Sequence, residues 1–468
     1  LKRKLHKSVI SQFFSSSLSV IIVSFLVVLV QVIDLSAGDS WATKLGDRIS
    51  FDHIILYTVI LMASVFMQFY FLKTTTRIVF KIKKASSNSA QIIAYLHVAS
   101  QLTVIILLVY LLGEQLVTSR YNIVLVQLIV GISLIISILI MVTLAFKCIK
   151  SYLSTRSKMA GVYSLAIIAL SLQLISAFLY VEANLQAKPQ YIYPERNPSA
   201  SYFYTSLKSK LDSLYDTTKI MSFIAIWVAS LLLTKPYAQK IGKIKYWITV
   251  STPVVYFLFQ YSPLLLNQTD IWSALIMSSG SIFPILYNFV LNTVSVGTAI
   301  LFGISFFILS RGLTYEHLKY YLIICGAGIM IIFSSSASTI LILSAFPAWG
   351  VVSISFVLPA SFLILIGLDS ATFYVAGDIK VRSYLRSKSQ FELFRALASA
   401  KASAEAEHKI HQIINQIHKN IETEALFTSK SESEDIIQYV GEVITELKKT
   451  DTKLDNTKSG NKSDQSTT

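Results

Sequence analysis

The stretch 349-WGVVSISFVLPASFLILIGLDSATFYVAGDIKVRSYLRS-387 decides how this chain is read. It opens on Trp349, runs almost without charge to Asp369, and closes on Lys380, Arg382 and Arg386. A helix crossing ~30 Å of hydrocarbon at 1.5 Å per residue needs about 20 residues. That length, counted from Trp349, ends near Asp369. Trp349 therefore suits one membrane interface, and Asp369 the opposite boundary, beside a basic segment in water. Asp369 reads first as a membrane exit and second as an ion site, because tilt cannot be read from length.

The rest of the chain repeats this pattern. Of 468 residues, 53% are hydrophobic and only 14% charged, against about 25% charged in a soluble domain. The mean hydropathy is +0.59. The expected fold class is all-α, a polytopic transmembrane helical bundle. Ten segments are long and apolar enough to span, approximately 10–33, 53–72, 91–113, 121–146, 160–181, 218–234, 246–266, 282–309, 320–345 and 349–376. The first follows "LKRKLHK" and resembles a signal peptide, but its ~20 apolar residues exceed a signal core of ~7–15, so it reads as an uncleaved span.

Charge sets the orientation. Lys2–Lys7, Lys73–Lys84, Lys147–Lys158, Lys235–Lys245, Arg311 and Lys319, and Lys380–Lys388 bracket basic clusters on one set of alternating segments. The opposite set is poor in Lys and Arg and carries Asp34, Asp39, Asp47, Asp52, Glu114 and Glu182. The positive-inside rule then places both termini in the cytoplasm, with the bundle in the cell (plasma) membrane. The net charge of +15 lies largely in these short loops, which argues for membrane lipid as partner and against nucleic acid. Two cysteines, Cys148 and Cys325, support neither a disulfide framework nor a Cys-based metal site.

Two segments lie outside the bundle. In the loop 183–217, Phe203, Leu207, Leu211 and Leu214 recur at helical spacing, as in an amphipathic helix lying at the outer headgroups. Residues 378–450 read as a cytoplasmic coiled-coil-like hairpin. Ile410, Ile413, Ile414, Ile417 and Ile421 stripe its first helix, and Ile436, Val440, Val443 and Leu447 its second. Stretch 390–449 is the expected contact for a homodimer or protein partner, and 451–468 is too polar to fold. His408, His411 and His418 in the hairpin lack a conventional chelating set, so no metal site is expected.

Polar residues within spans are costly and therefore suspects for function. The candidate intramembrane path comprises His97 and Gln101 on one face of the third span, Asn288, Asn292 and Ser295 in the eighth, Ser334, Ser335 and Ser338 in the ninth, and Asp369. Close helix packing, with Asn and Ser bonding across helices, is the favoured reading of the same residues over a path. No HExxH, P-loop or GxSxG motif occurs, so neither catalysis nor a cofactor is expected. The leading functional expectation is a non-enzymatic sensor or regulatory scaffold with its output in the helical tail. The alternative is a secondary transporter or channel with a polar site among spans 8–10.

The junction 367-GLDSATFYVAGDIKVRSYLRS-387, through Ser370, Asp378, Lys380, Arg382 and Arg386, resembles uncharacterised multi-pass membrane proteins of archaea. The resemblance implies a multi-pass context with a basic exit helix. It implies no activity.

Overall fold

The fold was analysed in a computed structural model. The structure describes residues 17–35, 51–82, 88–186, 190–192, 206–235, 242–259, 299–300, 302–311, 313–337, 346–377, 396–403 and 412–416, with a few isolated positions besides. Residues 1–400 and 401–468 form two separate compact units, and the helices below belong to the first.

The elements are α1 (Ser17–Leu35), α2 (Phe51–Ile82), α3 (Asn88–Thr118), β1 (Tyr121–Asn122), α4 (Ile123–Thr155), α5 (Lys158–Gln186), β2 (Tyr191–Ile192) and α6 (Ser206–Thr234). They continue with α7 (Lys243–Phe259), α8 (Phe302–Arg311), α9 (Glu316–Ala337), α10 (Val351–Ser355) and α11 (Val357–Gly377). Eight helices among the described residues are long and apolar enough to cross a membrane, α10 and α11 together forming the last. The protein is a multi-pass, all-α membrane protein. The expected span 246–266 is described as far as Phe259, in α7, and 282–309 falls largely outside the described residues, with the short α8 as its main described part.

Burial identifies the centre. The most hydrophobic windows of α9 and of the α10–α11 span are 89% and 100% buried, whereas that of α3 is 33% buried. The last two spans therefore form a core hairpin, and the earlier helices wrap it. Those helices turn large apolar side chains outward, among them Phe66, Ile106, Val117 and Leu165. So many exposed large apolar side chains would be untenable in water and are what lipid requires.

Glycines let the core hairpin close. A Cβ at Gly328 would stand 2.7 Å from the Ala360 carbonyl oxygen and 2.8 Å from Ile364 Cγ1. One at Gly367 would lie 2.8 Å from both Cys325 Cβ and the Tyr321 carbonyl oxygen. Backbones at this separation gain dispersion contacts that larger residues would prevent.

Contacts at the helix ends fix which ends share a side. Asp34 near the end of α1, Tyr57 near the start of α2, and Ser335 near the end of α9 all bond to one another's neighbourhood around residues 348–355 or to α1 itself. Tyr121, before α4, stacks on Phe346 at the same end. At the other end Lys147 of α4 pairs with Asp369 of α11 at 3.2 Å, and His317 of α9 meets Tyr374 of α11. Thus α4 and α9 run in opposite senses, so an even number of crossings separates them. The helices α5 and α6 supply two.

Two expectations are corrected. The segment around Leu207–Leu214 is not a separate surface helix, because α6 runs unbroken from Ser206 to Thr234. Its polar face meets α5 through Ser176–Thr218 at 2.5 Å and the stacked Tyr180–Tyr215 rings at 5.4 Å. Trp349 is not an interfacial anchor: it is 2% exposed and packs edge-on against Tyr57, 5.1 Å between ring centres.

A two-residue antiparallel ladder pairs Tyr121 with Ile192 and Asn122 with Tyr191 at the Asp34 end. Asn122 also caps α4, its side chain accepting from the Val124 amide at 2.9 Å. A donor otherwise left unpaired at the helix start is thereby satisfied.

Candidate functional site

The last span does not begin as a regular helix. Gly350 has φ of +86°, a conformation that favours glycine, and turns the chain into the five-residue α10. The helix then breaks at Phe356. Pro359 lies four residues beyond Ser355 and has no N–H to offer the Ser355 carbonyl, so the ladder cannot run through. The chain restarts as α11 at Val357. A broken helix at membrane depth must have its loose polar groups met by neighbours.

Asp34 meets those at the start. Its carboxylate accepts from the Gly350 amide at 3.2 Å, the Ser353 amide at 3.3 Å and the Ser353 hydroxyl. The side chain is wholly buried. One turn earlier on α1, Gln31 accepts from the Ser334 hydroxyl and donates from Nε2 to Ser335 Oγ at 2.8 Å. The first helix is thus pinned by polar bonds to both members of the core hairpin.

Ser355, on the near side of the break, continues the polar contacts inward. Gln68 of α2 donates from Nε2 to Ser355 Oγ at 2.6 Å, with a longer 3.4 Å contact to Ser64. Gln101 of α3 donates in turn to Gln68 Oε1 at 2.8 Å. Ser355 closes the chain by donating to the Val352 carbonyl. Gln31, Asp34, Ser64, Gln68, Gln101, Ser334, Ser335, Ser353 and Ser355 all have 0% exposure, so this polar column runs through the interior and not along a wet groove.

Below Gln101 on the same face of α3 stands His97, 1% exposed. Its ring stacks on Phe362 of α11 with centres 3.8 Å apart. Neither imidazole nitrogen has a hydrogen-bond partner among the described residues, and the Gln101 Oε1 oxygen also lacks one. Unmet polar atoms in hydrocarbon surroundings each cost roughly 1–3 kcal/mol, so three together need a physical reason.

The structure sorts the residues expected from sequence. It brings Gln101 and His97 onto the column, and it places Ser334 and Ser335 there through Gln31. Asp369 lies apart, paired with Lys147 at 3.2 Å, its side chain 32% exposed. Asn288, Asn292, Ser295 and Ser338 lie outside the described residues, as do His408, His411, His418 and most of the 390–449 hairpin. Asp34 is a correction: its place just past the first apolar run read as an outside loop, yet its carboxylate is wholly buried at the end of α1. Gln31 and Gln68 were not singled out, although one Gln per span in "VQVID" and "FMQFY" was a visible signal. Among the described residues no cluster of His, Cys, Asp or Glu could hold a metal ion.

Packing closes the column at the Asp34 end, where Tyr57 donates to the Ala348 carbonyl at 3.3 Å and meets Trp349 edge-on. No family model, curated protein or solved structure matches this chain.

Proposed function

We propose that this multi-pass membrane protein is a secondary carrier whose substrate path follows the polar column between α1, α2, α3, α9 and the broken last span. The observation that carries the reading is the break itself. A helix interrupted between Ser355 and Val357, with polar side chains of two other spans converging on it, is how carriers build a site within the membrane. Pure helix packing needs small residues, and α9 and α11 already have them in Gly328 and Gly367. It does not require a run of amides ending on unmet acceptors.

In this reading the segments 246–266 and 282–309 complete ten spans, which satisfies the even parity between α4 and α9. The Lys147–Asp369 end faces the cytoplasm of a plasma-membrane protein, because the basic loops lie on that side. The closed column is then one conformation of an alternating-access cycle. The exposed Lys147–Asp369 pair sits where an inner gate would open.

Reconstitution into liposomes tests this directly. The purified protein is expected to accelerate equilibration of at least one solute class, and Gln68→Leu is expected to abolish the gain. Acceleration that survives Gln68→Leu would place the path elsewhere.

A second reading rests on a different observation. Residues 401–468 cluster as a unit separate from the bundle, as suits a sensor or scaffold that signals through its tail, alone or as a dimer. Truncation after Ser389 is its test: unchanged partners and oligomeric state in the truncated protein would remove it.

A further inference from the structure

The unmet atoms define a demand that a ligand can answer. Gln101 donates to Gln68, Gln68 to Ser355, and Ser355 to Val352, so every donor in the chain points toward the Asp34 end. The chain therefore finishes at its opposite end on a bare acceptor, Gln101 Oε1. One turn away, a neutral imidazole offers one N–H and one lone pair at His97, and neither has a partner. Phe362 covers a flat face of the ring, leaving the edge that carries the nitrogens as the polar surface.

Among the described residues no charged group is paired with His97 to balance an ion. The Asp34 carboxylate is occupied by three donors at the far end of the column. Lys147 and Asp369 neutralise each other at the surface. A bare ion at His97 would lose its hydration with only an amide oxygen and an imidazole in return, which is prohibitive in this medium.

We infer that His97 and Gln101 form the binding site of the column for a small uncharged molecule with at least two hydrogen-bond donors, of the class of water, urea and short polyols. One donor goes to Gln101 Oε1 and one to the bare imidazole nitrogen, while the imidazole N–H donates back to an oxygen of the guest. The Phe362 ring limits the guest's size by closing one side. This inference rests on the carrier reading and names the substrate class of the same site.

The test is full-length protein in liposomes, followed by stopped-flow light scattering for water, urea and glycerol, and by ion-sensitive dyes for protons, sodium, potassium and chloride. Wild type is expected to raise permeability to at least one neutral probe and to none of the ions. His97→Phe, which keeps the stack with Phe362, is expected to lower that gain about tenfold to a hundredfold, the effect of losing both hydrogen bonds that the imidazole makes to the guest. Gln101→Met serves as a second variant in case His97→Phe does not yield monodisperse protein, with an expected loss of about tenfold for its one hydrogen bond. Ion flux in place of neutral flux would overturn the inference and leave the carrier reading standing. Neutral flux untouched by either variant would overturn the assignment of His97 and Gln101. Absence of every flux would overturn both the inference and the carrier reading.

Discussion

Replacing Asp34 by alanine removes the only acceptor among the described residues that holds the start of the broken last span. The carboxylate serves two backbone amides and one hydroxyl, all buried. In Asp34→Ala the Ser353 hydroxyl can rotate toward a carbonyl in its own turn, but the amides of Gly350 and Ser353 cannot. Two buried donors left unmet cost roughly 1–3 kcal/mol each. Losing the carboxylate's own desolvation burden offsets part of this. A net destabilisation of about 2–4 kcal/mol is expected. Asp34→Asn keeps one side-chain oxygen as acceptor and should lose about half as much. The assay is reversible unfolding in mixed micelles by denaturing detergent, comparing the three proteins. If Asp34→Ala lay within about 0.5 kcal/mol of wild type, below the cost of even one orphaned donor, the anchoring argument would be refuted.

Other expectations follow from packing and charge. Gly328→Ala forces a methyl to within 2.7 Å of the Ala360 carbonyl, so it should destabilise by about 1–3 kcal/mol, whereas Gly113→Ala, with nothing within 4 Å, should be neutral or slightly stabilising. The same unfolding assay distinguishes them. Lys147 and Asp369 are partly exposed, so a double-mutant cycle with Lys147→Met and Asp369→Asn should give a coupling of no more than about 1 kcal/mol that shrinks with added salt. Gln68→Leu should cost about 1–3 kcal/mol by stranding the Gln101 amide donor, and the double variant Gln68→Leu/Gln101→Leu should recover part of that loss.

Much of the scaffold was legible in the sequence because the bilayer imposes one length on every crossing. Long apolar runs separated by basic loops leave few alternatives to a helical bundle. The site was harder to read. His97 and Gln101 stood out because their spacing puts them on one face of an otherwise apolar helix. Asp34 did not, because a carboxylate just beyond about twenty apolar residues has the same sequence appearance whether it enters water or turns back to cap another helix. Only the turn at Gly350, more than three hundred positions further along the chain, decides between the two. Trp349 misled for the same reason: an aromatic at a span end suits an interface, and this one is covered by Tyr57. The break at Phe356 lay in plain view as Pro359, yet proline alone does not say whether neighbours converge on it.

The central claim is that the polar column opens to water during a functional cycle and is not permanent glue between helices. Ser355→Cys tests it, because cysteine nearly preserves the shape of the serine at the break. The native cysteines are first replaced as Cys148→Ser and Cys325→Ala, and native membranes are treated with a small water-soluble thiol reagent. The carrier account predicts that the thiol at 355 reacts in the folded protein, faster in the presence of a transported solute. A thiol that reacts only after the protein is denatured would contradict it.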